Sequence, residues 1–259
     1  MANWQMSFAT FFLAFARMLG MFVQAPIWGS HHISHTILVG AAASTTLVMF
    51  PSLKIPHELA NADLFVFAIL MLNQLLVGLL IGFVSFLVMA SAQFAGELLD
   101  IQMGISQAAS FDPSLRGGVV NLIRRWNFYF SMIIYLVMNG HLTLIKIMQK
   151  SFEIVPLGGI TFHGDIIKQY IVLTGNVFYL GIQIASPVLA AIFISQVALG
   201  LLARIAPQMN VFMLFFPLNM AIGLTLLNLS FRPFCRALEI LFQNNFHELM
   251  KLVYLLGRG

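Results

Sequence analysis

From Leu64 to Gln93 the chain carries no charged side chain, and this stretch constrains its fold more than any other. As one helix it exceeds ~40 Å at ~1.5 Å per residue, whereas the hydrocarbon core of a bilayer is ~30 Å thick. Such a segment needs lipid or apolar neighbours along its whole length. Six apolar segments stand out: Met6–Trp28, Ile33–Leu53, Leu64–Gln93, Val119–Leu144, Ile166–Leu202 and Val211–Phe231. Pro51 and Pro56 bracket a turn around Lys54, Pro156 with Gly158 and Gly159 marks a second break, and Pro207 a third. Ile166–Leu202 is longer still, and Pro187 is expected to kink it into two pieces. The pattern predicts an all-α, membrane-type chain.

Only 8% of the 259 residues are charged and 60% are hydrophobic, where a soluble domain carries about 25% charged residues. That supply is too small to clothe a soluble surface. The net charge of +4 comes without the dense basic run that grips nucleic acid, and the basic residues read as topogenic. With the C-terminus in the cytoplasm, Lys54, Lys146, Lys150, Lys168, Arg232, Arg236, Lys251 and Arg258 fall inside. Arg116, Arg124, Arg125 and Arg204 then fall outside, so the bias has the expected sign and is weakened by these exceptions. The first segment lacks a basic start and is too long for a cleaved signal peptide, so it is expected to be retained. Cys235 is the lone cysteine and cannot form an internal disulfide.

Enzyme signatures are missing. The chain has no G-x-x-x-x-G-K-[ST] phosphate loop and no G-x-S-x-G elbow. His57-Glu58-Leu59-Ala60-Asn61 and His247-Glu248-Leu249-Met250-Lys251 each lack the second histidine of a zinc-protease helix. His31, His32 and His35 crowd one turn, but a pair of imidazoles without a third ligand makes a poor metal site. No catalytic, cofactor or metal site is expected.

Other residues invite a structural role. Gly78, Gly82 and Ser85, with Ala92, share nearly one face of the third segment, the spacing that lets a second helix approach closely. That partner is either another subunit or another part of this chain. Arg17 lies inside the first segment, where an arginine costs ~2.5–3.5 kcal/mol on insertion scales, so it needs a partner or a wet face. Glu97 and Asp100 lie three apart on one helical face, placed to pair with Arg116, Arg124 or Arg125; Arg204 is a further candidate for charge pairing. The stretch 94–118 holds four glycines and a proline, which argues against one continuous helix, yet Ile101, Met103, Ile105 and Phe111 are too apolar for an exposed loop. Irregular backbone of this kind survives at membrane depth when buried in protein or lining a water-filled space. A pore-lining or pore-closing loop is therefore expected, centred on Met103, Gly104, Ile105, Ser106, Gln107, Ala108, Ala109, Ser110, Phe111, Asp112 and Pro113. Beyond residue 231, Leu238, Leu241, Phe242, Leu249, Val253 and Leu256 recur at helical spacing. Residues 232–259 thus read as an amphipathic tail on a hydrophobic helical core of residues 1–231.

Several short motifs occur in order from residue 17 to 217. They are Arg17 with Ala25-Pro26 and Gly29, then Gly96-Glu97-Leu98-Leu99-Asp100 with Gln102-Met103-Gly104 and Phe111-Asp112-Pro113. Asn139-Gly140-His141, Ser151-Phe152 and Pro156-Leu157-Gly158 follow, and Gly200-Leu201-Leu202-Ala203-Arg204-Ile205-Ala206-Pro207-Gln208-Met209-Asn210-Val211-Phe212 with Phe216-Pro217 is the strongest. Together they resemble the FliR family of flagellar type III export-gate subunits and, more distantly, the equivalent subunits of virulence secretion systems. The resemblance implies kinked helical hairpins in a helical, cone-like gate with FliP and FliQ, rather than a conventional six-span bundle. It also implies docking of FlhB, FlhA beneath the gate, unfolded flagellar export substrates, and a place in the bacterial inner membrane at the flagellar basal body. By the same resemblance, the loop from Met103 to Gly118 helps to plug the closed pore. A small-molecule secondary transporter is the rival reading; it calls for broken helices in related halves, and no convincing repeat is present.

Overall fold

The computed structural model describes residues 2–29, 33–53, 63–105, 121–158, 164–206, 208 and 211–257. Among the described residues the regular structure is entirely helical: α1 (Ala2–Gln24), α2 (His35–Met49), α3 (Leu64–Gln102), α4 (Leu122–Val137), α5 (Gly140–Ile154), α6 (Gly164–Ile205), α7 (Val211–Leu229) and α8 (Phe231–Leu256), with one 3₁₀ turn at Phe50–Ser52. α1, α2 with its following turn, α3 and α6 are each long and apolar enough to cross a membrane; α4 with α5 and α7 with α8 reach that standard only as bent pairs.

Three boundaries differ from the sequence reading, each for a physical reason. The loop expected from residue 94 begins at Met103, because α3 continues to Gln102. Gly96 does not break the helix; a Cβ there would sit 2.5 Å from Arg124 Cα, so the glycine admits the backbone of α4. Gly104 does end it, at φ 77°, with its amide donating to the Ile101 carbonyl. The segment Val119–Leu144 breaks at Asn139, which takes φ 55° and starts α5 with its carbonyl accepting from Leu142 and Thr143. Asparagine tolerates that left-handed geometry better than most residues. Pro187, expected to split the fifth segment, lies inside an uninterrupted 42-residue α6. The carbonyl its missing N–H would have served, that of Gln183, accepts the Ser186 hydroxyl at 2.8 Å instead.

The chain forms two compact units. The first comprises residues 1–87, 139–174 and 242–259, the second residues 88–138 and 175–241. In the first, α1 and α3 pack backbone to backbone: a Cβ on Gly20 would overlap the Leu75 carbonyl oxygen, one on Gly78 the Arg17 carbonyl oxygen, and one on Gly82 would lie 2.5 Å from that of Met21. Of the two partners left open for Gly78 and Gly82, this unit supplies the one within the chain. Ser85 is buried and returns its hydroxyl to the Gly82 carbonyl. Leu13 and Leu157 centre a small core with Phe67, Leu70, Met71 and Phe152, and Asn245 of α8 donates to the Val84 carbonyl at 2.9 Å.

In the second unit the buried core is Ala95, Leu99, Met103, Ile105, Ile123, Ala185, Val188 and Ile192. Asn127 donates to the Ala92 carbonyl, and the Ser195 hydroxyl to Asn219 Oδ1.

Replacing Gly78 by alanine forces a methyl group into the Arg17 backbone and should destabilise the detergent-purified protein by about 1–3 kcal/mol. Gly40→Ala, where nothing lies within 4 Å, should leave the unfolding temperature unchanged or slightly raised. Thermal unfolding of the two variants checks the contrast.

Candidate functional site

Two buried ionisable residues of this apolar chain serve the ends of other helices. Arg17, fully buried on α1, reaches the C-terminal end of α5. Its Nη1 donates to the Ser151 carbonyl at 3.0 Å and to Ser151 Oγ at 3.3 Å, and Nη2 donates to the Val155 carbonyl at 3.1 Å. Nε donates to Gln74 Oε1 at 2.8 Å, and Nη2 bonds the same oxygen. The Phe152 ring lies 4.6 Å from the guanidinium carbon. Gln74 in turn donates to the Leu157 carbonyl at 3.2 Å. Arg17 was expected to need a partner or a wet face; its partners are carbonyls, an amide, a hydroxyl and an aromatic face, with no carboxylate among them. The physical sense is that the carbonyls at the end of α5 carry the negative end of the helix dipole and have lone pairs to spare, although that of Ser151 also accepts the Val155 amide. A cation from another helix satisfies both needs.

Asp100 mirrors this arrangement in the second unit. Its Oδ1 accepts from the Ile123 amide and its Oδ2 from the Arg124 amide, both at 2.9 Å. These are the second and third residues of α4, whose own preceding residue, Asn121, sits at φ 67° and provides no side-chain cap. The carboxylate of α3 therefore caps α4 from outside. Glu97, one turn earlier, lies 3.8 Å from Arg124 across a half-exposed ion pair. Among the described residues, Arg125 and Arg204 are exposed and lie within ion-pair distance of no carboxylate.

The residues after α3 are anchored. Met103 and Ile105 are buried, at 1% and 3% exposure. A Cβ on Gly104 would strike the Phe216 ring, and one on Gly223 the Met103 thioether, so α7 packs directly against this turn. Ser106, Gln107, Ala108, Ala109, Ser110, Phe111, Asp112 and Pro113 lie outside the described residues, as do His31, His32 and Arg116. Among the described residues no three His, Cys, Asp or Glu side chains are grouped to hold a metal.

Gln74 and Asn127 were not singled out from sequence. The signal was available: each is an amide in a strongly apolar run, which implies a buried hydrogen-bond partner. Which partner was not legible, because Arg17 and Leu157 lie 57 and 83 residues from Gln74 in sequence, and Ala92 lies 35 from Asn127.

Comparison with known proteins then places the molecule. The family model for bacterial export proteins, family 1, matches residues 8–245. The chain belongs to that family. Its curated relatives include the flagellar biosynthetic protein FliR of Escherichia coli (strain K12), 30% identical over 250 residues that cover 94% of this chain and 92% of the relative. FliR of Bacillus subtilis (strain 168) is 29% identical, covering 85% of each chain. FliR of Aquifex aeolicus (strain VF5) is 27% identical over 244 residues, covering 94% of this chain and 92% of its own. The matched range takes in both the Arg17 and the Asp100 caps.

Gln74→Leu leaves the buried guanidinium short of one acceptor on two of its nitrogens and should destabilise the protein by about 2–4 kcal/mol. A lowered unfolding temperature in detergent reports it, and an unchanged one would show that Arg17 does not depend on Gln74. Asp100→Ala should cost about 1–2 kcal/mol, with faster hydrogen exchange at the Ile123 and Arg124 amides than at the Ile134 amide within the same helix.

Proposed function

We propose that this chain is a structural, non-enzymatic subunit of the flagellar type III protein export gate, helping to form and close the protein-conducting channel in the bacterial inner membrane at the basal body. The observation that carries the reading, beside the family, is the apolar surface of α6. This helix is 42 residues long, about 63 Å at ~1.5 Å per residue, and a bilayer core covers only ~30 Å of it. Ile167, Ile171, Phe178, Phe193, Ile194 and Leu201 leave that helix exposed from near its start to near its end. Lipid alone leaves part of this surface in water, so other apolar subunits are needed to cover the rest.

In this reading FliP and FliQ supply those surfaces, FlhB docks on the assembled gate, FlhA lies beneath it, and unfolded flagellar subunits pass through. Energy comes from a separate ATPase and the proton gradient. The loop from Met103 to Pro113 helps to block the passage at rest. What supports this placement is the anchorage of Met103 and Ile105 at one end and the Asp100 cap at the other: both ends of the intervening chain are held by the same unit.

Mild-detergent purification through a tag on this chain, with mass spectrometry of what accompanies it, tests the assembly. Stoichiometric FliP-like and FliQ-like proteins are expected, and a lone chain that binds a small solute would overturn the reading in favour of a transporter. Deleting residues 107–115 in an assembled gate should raise ion leak across the membrane. An unchanged leak would remove the plug from the account.

A further inference from the structure

The second unit contains a cavity that neither the caps nor the loop explains. It has a volume of about 410 Å³ and lies in the crook where the chain bends at Ser230 between α7 and α8. Its wall is mainly apolar, with Trp126 of α4, Pro187 and Val188 of α6, and Phe231, Phe234 and Ala237 of α8. The size is that of a small-ligand site, and the rings of Trp126, Phe130, Phe231 and Phe234 cluster with centroids 4.3–6.1 Å apart. Asn127, Gln183 and Ser230 interrupt the apolar wall. Asn127, which lines the cavity, is 1% exposed, and its Oδ1 is buried without a hydrogen-bond partner while its Nδ2 serves Ala92. A buried acceptor left in this way can take a donor from a water or from a bound molecule.

The flank of the cavity is basic. Arg236 does not itself line the cavity, but it follows the lining residue Pro233 by three positions and precedes the lining residue Ile240 by four, so it borders the edge that those two residues form. Arg232 lies one turn before it. Both arginines are exposed, and among the described residues no carboxylate is within ion-pair distance of either. Glu239 is the one acidic residue on this part of the helix, leaving an excess of positive charge. The position along the chain is equally telling: α7 has no charged residue in 19, and the first residues after the bend are Phe231 and Arg232. A charge-free helix followed by a bend, aromatic rings and arginines is the pattern of a chain leaving hydrocarbon for the headgroup layer.

We propose that this cavity is a binding site for one anionic phospholipid with a hydroxylated headgroup, of the phosphatidylglycerol type. An acyl chain fills the apolar crook, the phosphate lies against Arg232 and Arg236, and a headgroup hydroxyl donates to Asn127. This proposal does not depend on the gate reading.

The test is native mass spectrometry of the full chain in mild detergent, supplied with equal phosphatidylglycerol and phosphatidylcholine. The wild-type protein should retain phosphatidylglycerol over phosphatidylcholine by about tenfold, from two arginines at a lipid surface. Arg232→Gln with Arg236→Gln should abolish that preference, whereas Lys146→Gln with Lys150→Gln, an equal change of charge elsewhere, should keep it. Ala237→Trp, or the milder Ala237→Leu, fills the crook and should lower retention of both lipids. Equal retention of the two lipids by the wild type, an equal loss in the two charge variants, or full retention in both Ala237 variants overturns the proposal. So does a co-purified polypeptide in place of lipid.

Discussion

A helix end buried in apolar surroundings must find hydrogen-bond partners, and this chain meets that demand with ionised side chains sent from other helices. α4 begins beside buried Ile123 and α5 ends beside buried Ser151 and Val155, and neither helix carries a charged residue suited to its own terminus. Asp100 of α3 supplies the anion at the start of α4, and Arg17 of α1 the cation at the end of α5. The sign is right in both cases for the helix dipole, a contribution of about 0.3–2 kcal/mol each, and larger in buried geometry than on a surface. The same logic explains why a fully buried guanidinium persists without a carboxylate. Three elements, α1, α3 and the end of α5, converge on its donors, and removing any one leaves polar atoms unsatisfied.

The close approach of helices makes these reaches short enough. Gly20, Gly78 and Gly82 bring α1 onto α3, so that Arg17 and Gln74 meet; Gly96 brings α4 onto α3, so that Asp100 meets the α4 amides. Small residues and charged caps are thus two halves of one arrangement. The glycines remove the space between backbones, and the charges use the resulting proximity.

Much of the fold was legible in the sequence, and the parts that were not share a cause. Helical class, segment positions and the family likeness follow from apolar length and short ordered motifs, signals that are local in the chain. The end of α3 was misplaced because Gly96 reads as a breaker by composition, whereas its purpose is a contact with a residue 28 positions away. Asn139 was not seen as a break, since asparagine in a long apolar run does not announce a left-handed backbone. Pro187 does not end α6, and Ser186, its immediate neighbour, satisfies the carbonyl that the proline leaves bare. Arg17 and Asp100 were recognised as needing partners, yet both partners of Asp100 and two of those of Arg17 are backbone groups, which carry no mark in a sequence.

What the chain does not satisfy by itself is the apolar surface of α6. Phe193 and Ile194 are 66% and 68% exposed, and Ile205 at the helix end is 80% exposed, on a helix about twice as long as a bilayer core is thick. The account rests on other subunits covering that surface. Single cysteines at Ile167, Phe178, Phe193 and Leu201, in a Cys235→Ser background, test it in native membranes with one lipid-soluble and one water-soluble thiol reagent. With the proposed partner subunits present, part of the helix should become protected from both reagents, and that protection should vanish when the chain is expressed alone. Identical labelling at all four positions in the two backgrounds would contradict the claim that this chain is completed by partners.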